Sequence, residues 1–138
     1  LGARAILDVL DQIEQGTAIP TPQSEYGITY AAKIGKGEAQ IDWTQSAGQI
    51  RDQIRAFNPS PGAYTRVGQT EIKIWMAQLE TGGAGKCGEI LSAGPRGLLV
   101  GCGTGALRLE QLQRSGGKKL AASEFLRGFS ILPGQTFE

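Results

Sequence analysis

The spacing of the apolar residues changes along this chain, and the change constrains the fold more than any other feature. In residues 3–15 and 46–57 they recur at three and four; from residue 62 onward they alternate. Helices therefore come early and short strands follow. Glycine supports the reading: 21 of 138 residues are glycine, which predicts many tight turns between short strands. At 40% hydrophobic, the chain holds enough apolar surface for one domain core.

In the first stretch Ala3, Ile6, Leu7, Leu10 and Ile13 share a helix face, and Gly16 is a natural stop. Residues 17–37, with Pro20 and Pro22 and no sustained period, read as a linker. Residues 38–43, EAQIDW, predict a first strand with Ile41 and Trp43 on one side. Ser46 and Gln49 form a capping box for a helix whose stripe is Ala47, Ile50, Ile54 and Phe57, ended by Asn58-Pro59. Strands are expected at 62–67, 70–79, 89–91, 97–103 and 105–113. In the second of these Ile72, Ile74 and Met76 face one way and Glu71, Lys73 and Trp75 the other. The phase slips before Leu112, which predicts a bulge. A short helix over 122–127, stopped by Gly128, precedes an irregular tail. The expected architecture is mainly β: an OB-like small barrel with one helix after the first strand and a short C-terminal helix, preceded by an N-terminal helix and linker.

Several chemistries are excluded. The chain has no histidine, so no histidine-based triad or histidine-ligated metal can be built from it. Cys87 and Cys102 are too few for a four-thiolate site and read as reduced, intracellular thiols, Cys102 as a buried small hydrophobe. No apolar run approaches membrane-spanning length, and LGARAILDVL lacks the features of a signal peptide. The chain opens in mid-helix rather than on Met, which marks it as an expected piece of a longer protein. The loop GCGTGAL resembles a dinucleotide loop but is followed by a strand, not a helix. Asp42 reads as a cap for the Ser46 helix or a partner for an arginine.

The cations are the remaining lead. Arg4 stands against Asp8, Asp11, Glu14 and Glu25 in the first 25 residues; the remaining chain carries 13 basic and 9 acidic residues. Lys33 and Lys36 fall in the linker. Arg51 and Arg55 share one side of a helix, Arg66 and Lys73 lie on two arms of a hairpin, and Arg114, Lys118 and Lys119 cluster at a glycine turn. Each alone is an ordinary solvated charge. Together they can follow a phosphate backbone, which asks for long cationic side chains more than exact geometry.

Four segments carry a resemblance. YAAKIGKGEAQIDW (30–43), QIRAFNPSPGAY (53–64), GALRLEQLQRSGGKKLAASEFLRG (105–128) and ILPGQ (131–135) resemble, in order, the linker and first strand, helix end, lysine turn with closing helix, and ending of methionyl-tRNA formyltransferases. The resemblance implies a two-domain enzyme. Its catalytic domain transfers formyl from 10-formyltetrahydrofolate to the amino group of initiator methionyl-tRNA, and its C-terminal OB-like barrel holds the tRNA. Residues 1–16 then become the terminal helix of that catalytic domain, 17–37 the linker and 38–138 the barrel. The implied tRNA contacts include Lys33, Lys36, Arg55, Lys118 and Lys119. The family's catalytic Asn, His and Asp have no counterpart, so this stretch is expected to hold no catalytic, cofactor or metal residue and to be inactive alone. The full-length protein is expected to be cytoplasmic, monomeric and free of membrane contact. Two departures stand out: Ser60 where the family often has tryptophan, and Ala122 where a serine commonly caps the last helix, with Ser123 as its replacement. The competing reading is a structural or substrate-shaping barrel of a related sugar or folate formyltransferase.

Overall fold

A computed structural model describes residues 2–83 and 85–138; Leu1, Ala84 and the Lys36 side chain lie outside the described residues. The chain divides into two units, Leu1–Lys33 and Ile34–Glu138. The first holds helix α1 (Gly2–Glu14), as its apolar period predicts, with Ile6, Leu7, Leu10 and Ile13 exposed. Irregular chain follows it.

The second unit opens with a correction. The expected strand over 38–43 is instead a 3-10 turn, Lys36–Ala39, and a single parallel bridge from Gln40 to Tyr64. Glu38 is the cause at one end: its carboxylate accepts the Gly35 N–H at 2.6 Å and winds the chain up. Asp42 is the cause at the other. It accepts from the Thr44 N–H at 3.0 Å, the Thr44 hydroxyl at 2.6 Å and the Gln45 side chain at 3.2 Å. Those bonds hold the Asp42 carboxyl below its ordinary range, Thr44 contributing most. Asp42 thus neither caps a helix nor meets an arginine. Ile41 and Trp43 still point inward, 2% and 4% exposed.

Helix α2 (Ala47–Ala56) follows the sequence closely. Ser46 caps it, with the Gln49 side chain returning to the Ser46 N–H. Ala47, Ile50 and Ile54 are buried. Six strands come next: β1 (Tyr64–Val67), β2 (Thr70–Glu80), β3 (Ile90–Gly94), β4 (Gly97–Gly101), β5 (Ala106–Arg114) and β6 (Leu120–Ala121). The sheet order is β1-β2-β5-β4-β3, all antiparallel, with β6 beside β5. Helix α3 (Ala122–Gly128) ends the regular structure. No side chain caps α3: Ala121 occupies the N-cap position, Ala122 is buried inside the helix, and Ser123 does not take over the role.

The sheet curls into a half-barrel that the chain's tail closes. The Arg66 and Glu138 main chains exchange hydrogen bonds of 3.1 and 2.9 Å. The Ile90 N–H donates to the Gln135 carbonyl at 2.8 Å, and the Phe137 N–H to the Gly88 carbonyl at 2.9 Å. The tail therefore bridges the two edge strands β1 and β3, whose unpaired main-chain groups would otherwise stand open. Phe137 stacks on Trp43 with ring centres 5.6 Å apart. Beneath them Thr65, 0% exposed, accepts the Trp43 indole N–H at 2.9 Å and donates to the Glu138 carbonyl at 2.9 Å. Ile72, Ile74, Ile90, Leu98, Val100, Leu107, Leu109 and Leu112 fill the remaining core.

The phase slip in β5 is real and has a counterpart in β2. Ile74 pairs with Leu112, Met76 with Gln111 and Ala77 with Leu109, so Trp75 and Glu110 each stand out of register. The irregularity displaces one residue: Met76 is 54% exposed while Ala77 packs against the core, and Trp75 keeps the face it shares with Lys73, 7% exposed because it is covered there. Cys102 is buried, which pushes its thiol up to about 11, while Cys87 is exposed. Among the described residues no helix is long and apolar enough to cross a membrane.

Candidate nucleic-acid interface

The face of β2 that carries Lys73 and Trp75 sets up the site, with the indole beneath two lysines. The Lys119 ammonium stands 3.4 Å from a Trp75 ring centre, and that of Lys73 stands 5.8 Å away. Lys73 is fixed further by donating to the Pro61 carbonyl at 2.8 Å. The indole N–H donates to the Gln113 side-chain oxygen at 2.9 Å, and the Gln113 amide donates to the Gly117 carbonyl at 2.7 Å. One glutamine thus ties the tryptophan to the glycine turn that carries Lys118 and Lys119. Gly116, at φ +73°, provides the left-handed residue that this turn needs.

Arg114 ends β5 at the foot of the same turn. Its carbonyl accepts the Gly117 N–H at 2.9 Å, and its guanidinium lies 5.4 Å from the Phe129 ring centre. Arg66 pairs across the β1–β2 hairpin with Glu71 at 3.8 Å. Arg66 and Arg114 line one open cleft together with Glu71 and Glu138. Five of the sequence-predicted cations, Arg66, Lys73, Arg114, Lys118 and Lys119, are therefore gathered around the β1–β2–β5 end of the barrel. The carboxylates among them are Glu71, Glu124 and Glu138.

The other four are placed differently. Arg51 donates to Asp52 at 2.8 Å, and Arg55 lies 3.6 Å from the same carboxylate. They sit side by side on α2, as their spacing predicts, but share one counter-charge. Among the described residues, no hydrogen bond, ion pair or cation–aromatic contact joins them to the turn cluster. Lys33 is exposed in the irregular part of the first unit. Lys36 starts the 3-10 turn, and its side chain lies outside the described residues.

Trp75, Gln113 and Phe129 are the organising residues that sequence reasoning missed. Alternation in β2 places Trp75 on the face of Lys73, where it stays; alternation in one strand cannot report that Gln113 and Lys119 cover it there. Elsewhere, Arg108 is held by Glu80 at 2.7 Å and is largely buried, so it is spent inside the structure. Among the described residues no three His, Cys, Asp or Glu side chains are grouped so as to hold a metal ion.

Known proteins share this sequence and fold. The family model described as formyl transferase, C-terminal domain matches residues 33–130. A methionyl-tRNA formyltransferase of Burkholderia multivorans is 49% identical over 138 residues, covering 99% of this chain and 42% of that protein. One from Aromatoleum aromaticum is 46% identical, covering 100% of this chain and 43% of its own length. The chain thus spans less than half the length of these curated relatives. A solved variant of HypX from Aquifex aeolicus superposes with a TM-score of 0.66 at 26% identity, covering 94% of this chain and 24% of that one. The HypX structure in complex with tetrahydrofolic acid shares the fold, with a TM-score of 0.65 at 24% identity, covering 98% of this chain and 26% of its own.

Proposed function

This chain belongs to the formyl transferase C-terminal domain family, and from that premise we propose that its barrel docks tRNA for a methionyl-tRNA formyltransferase. The observation that carries the reading is the convergence of Lys73 and Lys119 on Trp75, with Arg114 and Lys118 around the adjoining turn. Phosphate recognition needs such cations held at a surface, because each neutralised phosphate releases condensed counterions. Trp75 and Gln113 hold them there, which lowers the entropy lost when they bind.

The division of labour follows from what the chain contains. Transfer of a formyl group to an amine needs a base for the amine proton and donors for the developing oxyanion. The chain has no histidine, and the barrel's role is positioning: it holds initiator methionyl-tRNA so that the charged amine reaches a catalytic domain using 10-formyltetrahydrofolate. Residues 1–16 belong to that domain and 17–37 link it to the barrel. The full-length enzyme acts as a cytoplasmic monomer. The clefts around the cations are open to solvent, which favours a macromolecular partner over the enclosed small-substrate site of a sugar or folate formyltransferase.

A salt titration tests the reading. The Lys118→Ala/Lys119→Ala double variant loses two phosphate contacts, so the slope of log K against log salt flattens by about 1.8. Affinity at fixed salt falls for formylatable and non-formylatable tRNAs alike. Unchanged affinity together with an unchanged slope overturns the proposal, as does formylation of methionyl-tRNA by this chain alone.

A further inference from the structure

Backbone attraction leaves one feature of the cationic end without a role. Between the Ser115–Lys118 turn and α3 lies a cleft of about 300 Å³. Phe125 is buried and Leu120 and Phe129 are half-buried, so they form its floor; Arg114, Lys118 and Glu124 are exposed and form its rim. A phosphate chain has no use for an apolar floor. A paired stem cannot exploit one either, since its bases are stacked inside the helix. An unpaired nucleotide can, because it offers a base face and a phosphate together.

We infer that this cleft receives one unpaired nucleotide of the docked RNA, its base over Phe129 and its phosphate against Arg114 and Lys118. The inference rests on the RNA docking proposed above. A base entering here meets a π surface and a cation at once, since the Arg114 guanidinium stands 5.4 Å from the Phe129 ring centre. Glu124 fixes the orientation. Its carboxylate repels phosphate and accepts hydrogen bonds, so it faces the base edge and favours bases with exocyclic amino groups, adenine, cytosine and guanine, over uracil. Two rim cations against one carboxylate match a nucleotide better than an apolar or acidic peptide.

Gly128 supplies a clean test. It lines the cleft at the end of α3, and a Cβ added there meets nothing within 4 Å. Gly128→Leu therefore adds bulk to the cleft's lining at a position with room for its Cβ. Fluorescence anisotropy on the full 138-residue chain compares a fully paired RNA hairpin with the same stem carrying a bulged adenine or a bulged uracil. Wild type binds the adenine bulge tighter than the paired stem. Gly128→Leu, with an unchanged circular dichroism spectrum, loses about 5- to 150-fold on the bulge and nothing on the paired stem, the range that base stacking spans. Glu124→Gln narrows the preference for adenine over uracil. If Gly128→Leu binds every RNA as wild type does, or loses paired and bulged RNA equally, the cleft is not a nucleotide site. If Lys118→Ala/Lys119→Ala still weakens binding in that case, the docking proposal stands alone. Absence of RNA binding by wild type overturns both.

Discussion

Thr65→Val is the most informative single change in the barrel. It preserves side-chain shape and removes one hydroxyl that joins Trp43, β1 and the tail. Thr65 is 0% exposed, and its hydroxyl makes two bonds of 2.9 Å, accepting from the Trp43 indole and donating to the Glu138 carbonyl. The two losses differ. The Glu138 carbonyl keeps its bond from the Arg66 N–H at 3.1 Å, so it loses only a second partner. Among the described residues the indole N–H has no other acceptor, and Trp43 is 4% exposed. A buried donor left unmet costs about 1–3 kcal/mol, and a lost net hydrogen bond about 1; the added methyl returns just under 1. The expected loss is therefore about 2 kcal/mol, read as a lower urea midpoint at unchanged m-value. Thr65→Ser, which keeps the hydroxyl and drops one methyl, should cost about 0.8. In a Trp43→Phe background Thr65→Val should cost at least about 1 kcal/mol less, because no indole remains to be orphaned. If Thr65→Val is no worse than Thr65→Ser, or costs the same in both backgrounds, the bridging role is wrong.

Three further outcomes are expected. Iodoacetamide at pH 8 should label Cys87 in the native chain and both cysteines in urea, because burial pushes Cys102 up to about 11 and leaves about one thiolate in a thousand; labelling of both in native conditions contradicts the packing. The Arg108 hydrogen bond holds Glu80 below the ordinary carboxylate range, so this pair stabilises the fold above that range and ceases to as pH falls through the depressed value. Glu80→Gln should therefore flatten the acid limb of a stability-versus-pH curve while leaving its shape above neutrality unchanged. Gly103→Ala should cost about 3 kcal/mol, since its Cβ would collide with the Thr44 carbonyl while the Gly103 N–H holds the Trp43 and Gln45 carbonyls at 2.9 Å each. Gly48→Ala, in open space on α2, should instead stabilise by about 0.5–1 kcal/mol in the same denaturation assay.

What could be read from the sequence followed from local physics. Helix α2 was legible because its cap, its apolar face and its proline stop lie within about a dozen residues and act on one another directly. The strands from 64 to 114 were legible because alternation is a local pattern. The first strand failed for an equally local but subtler reason: the Glu38 and Asp42 carboxylates capture nearby main-chain N–H groups and leave a single bridge at Gln40. The displacement of Met76 depends on the bulge where β2 meets β5, and alternation within one strand cannot report that. The candidate site shows the same division. Its lysines and arginines were found by type, but the cluster that joins five of them is built by Trp75, Gln113 and Phe129, which reach the cations through the β2–β5 pairing and the fold of α3.

The closing tail also sets the order of assembly. The Thr65–Glu138 bond spans 73 positions of sequence, so ring completion waits on residues translated long after β1 has emerged. Until then β1 and β3 present raw margins to any extended neighbour, an exposure that ends with docking of 134–138. A protease that trims those few residues would reopen the seam and turn a sealed cylinder into a template for aggregation.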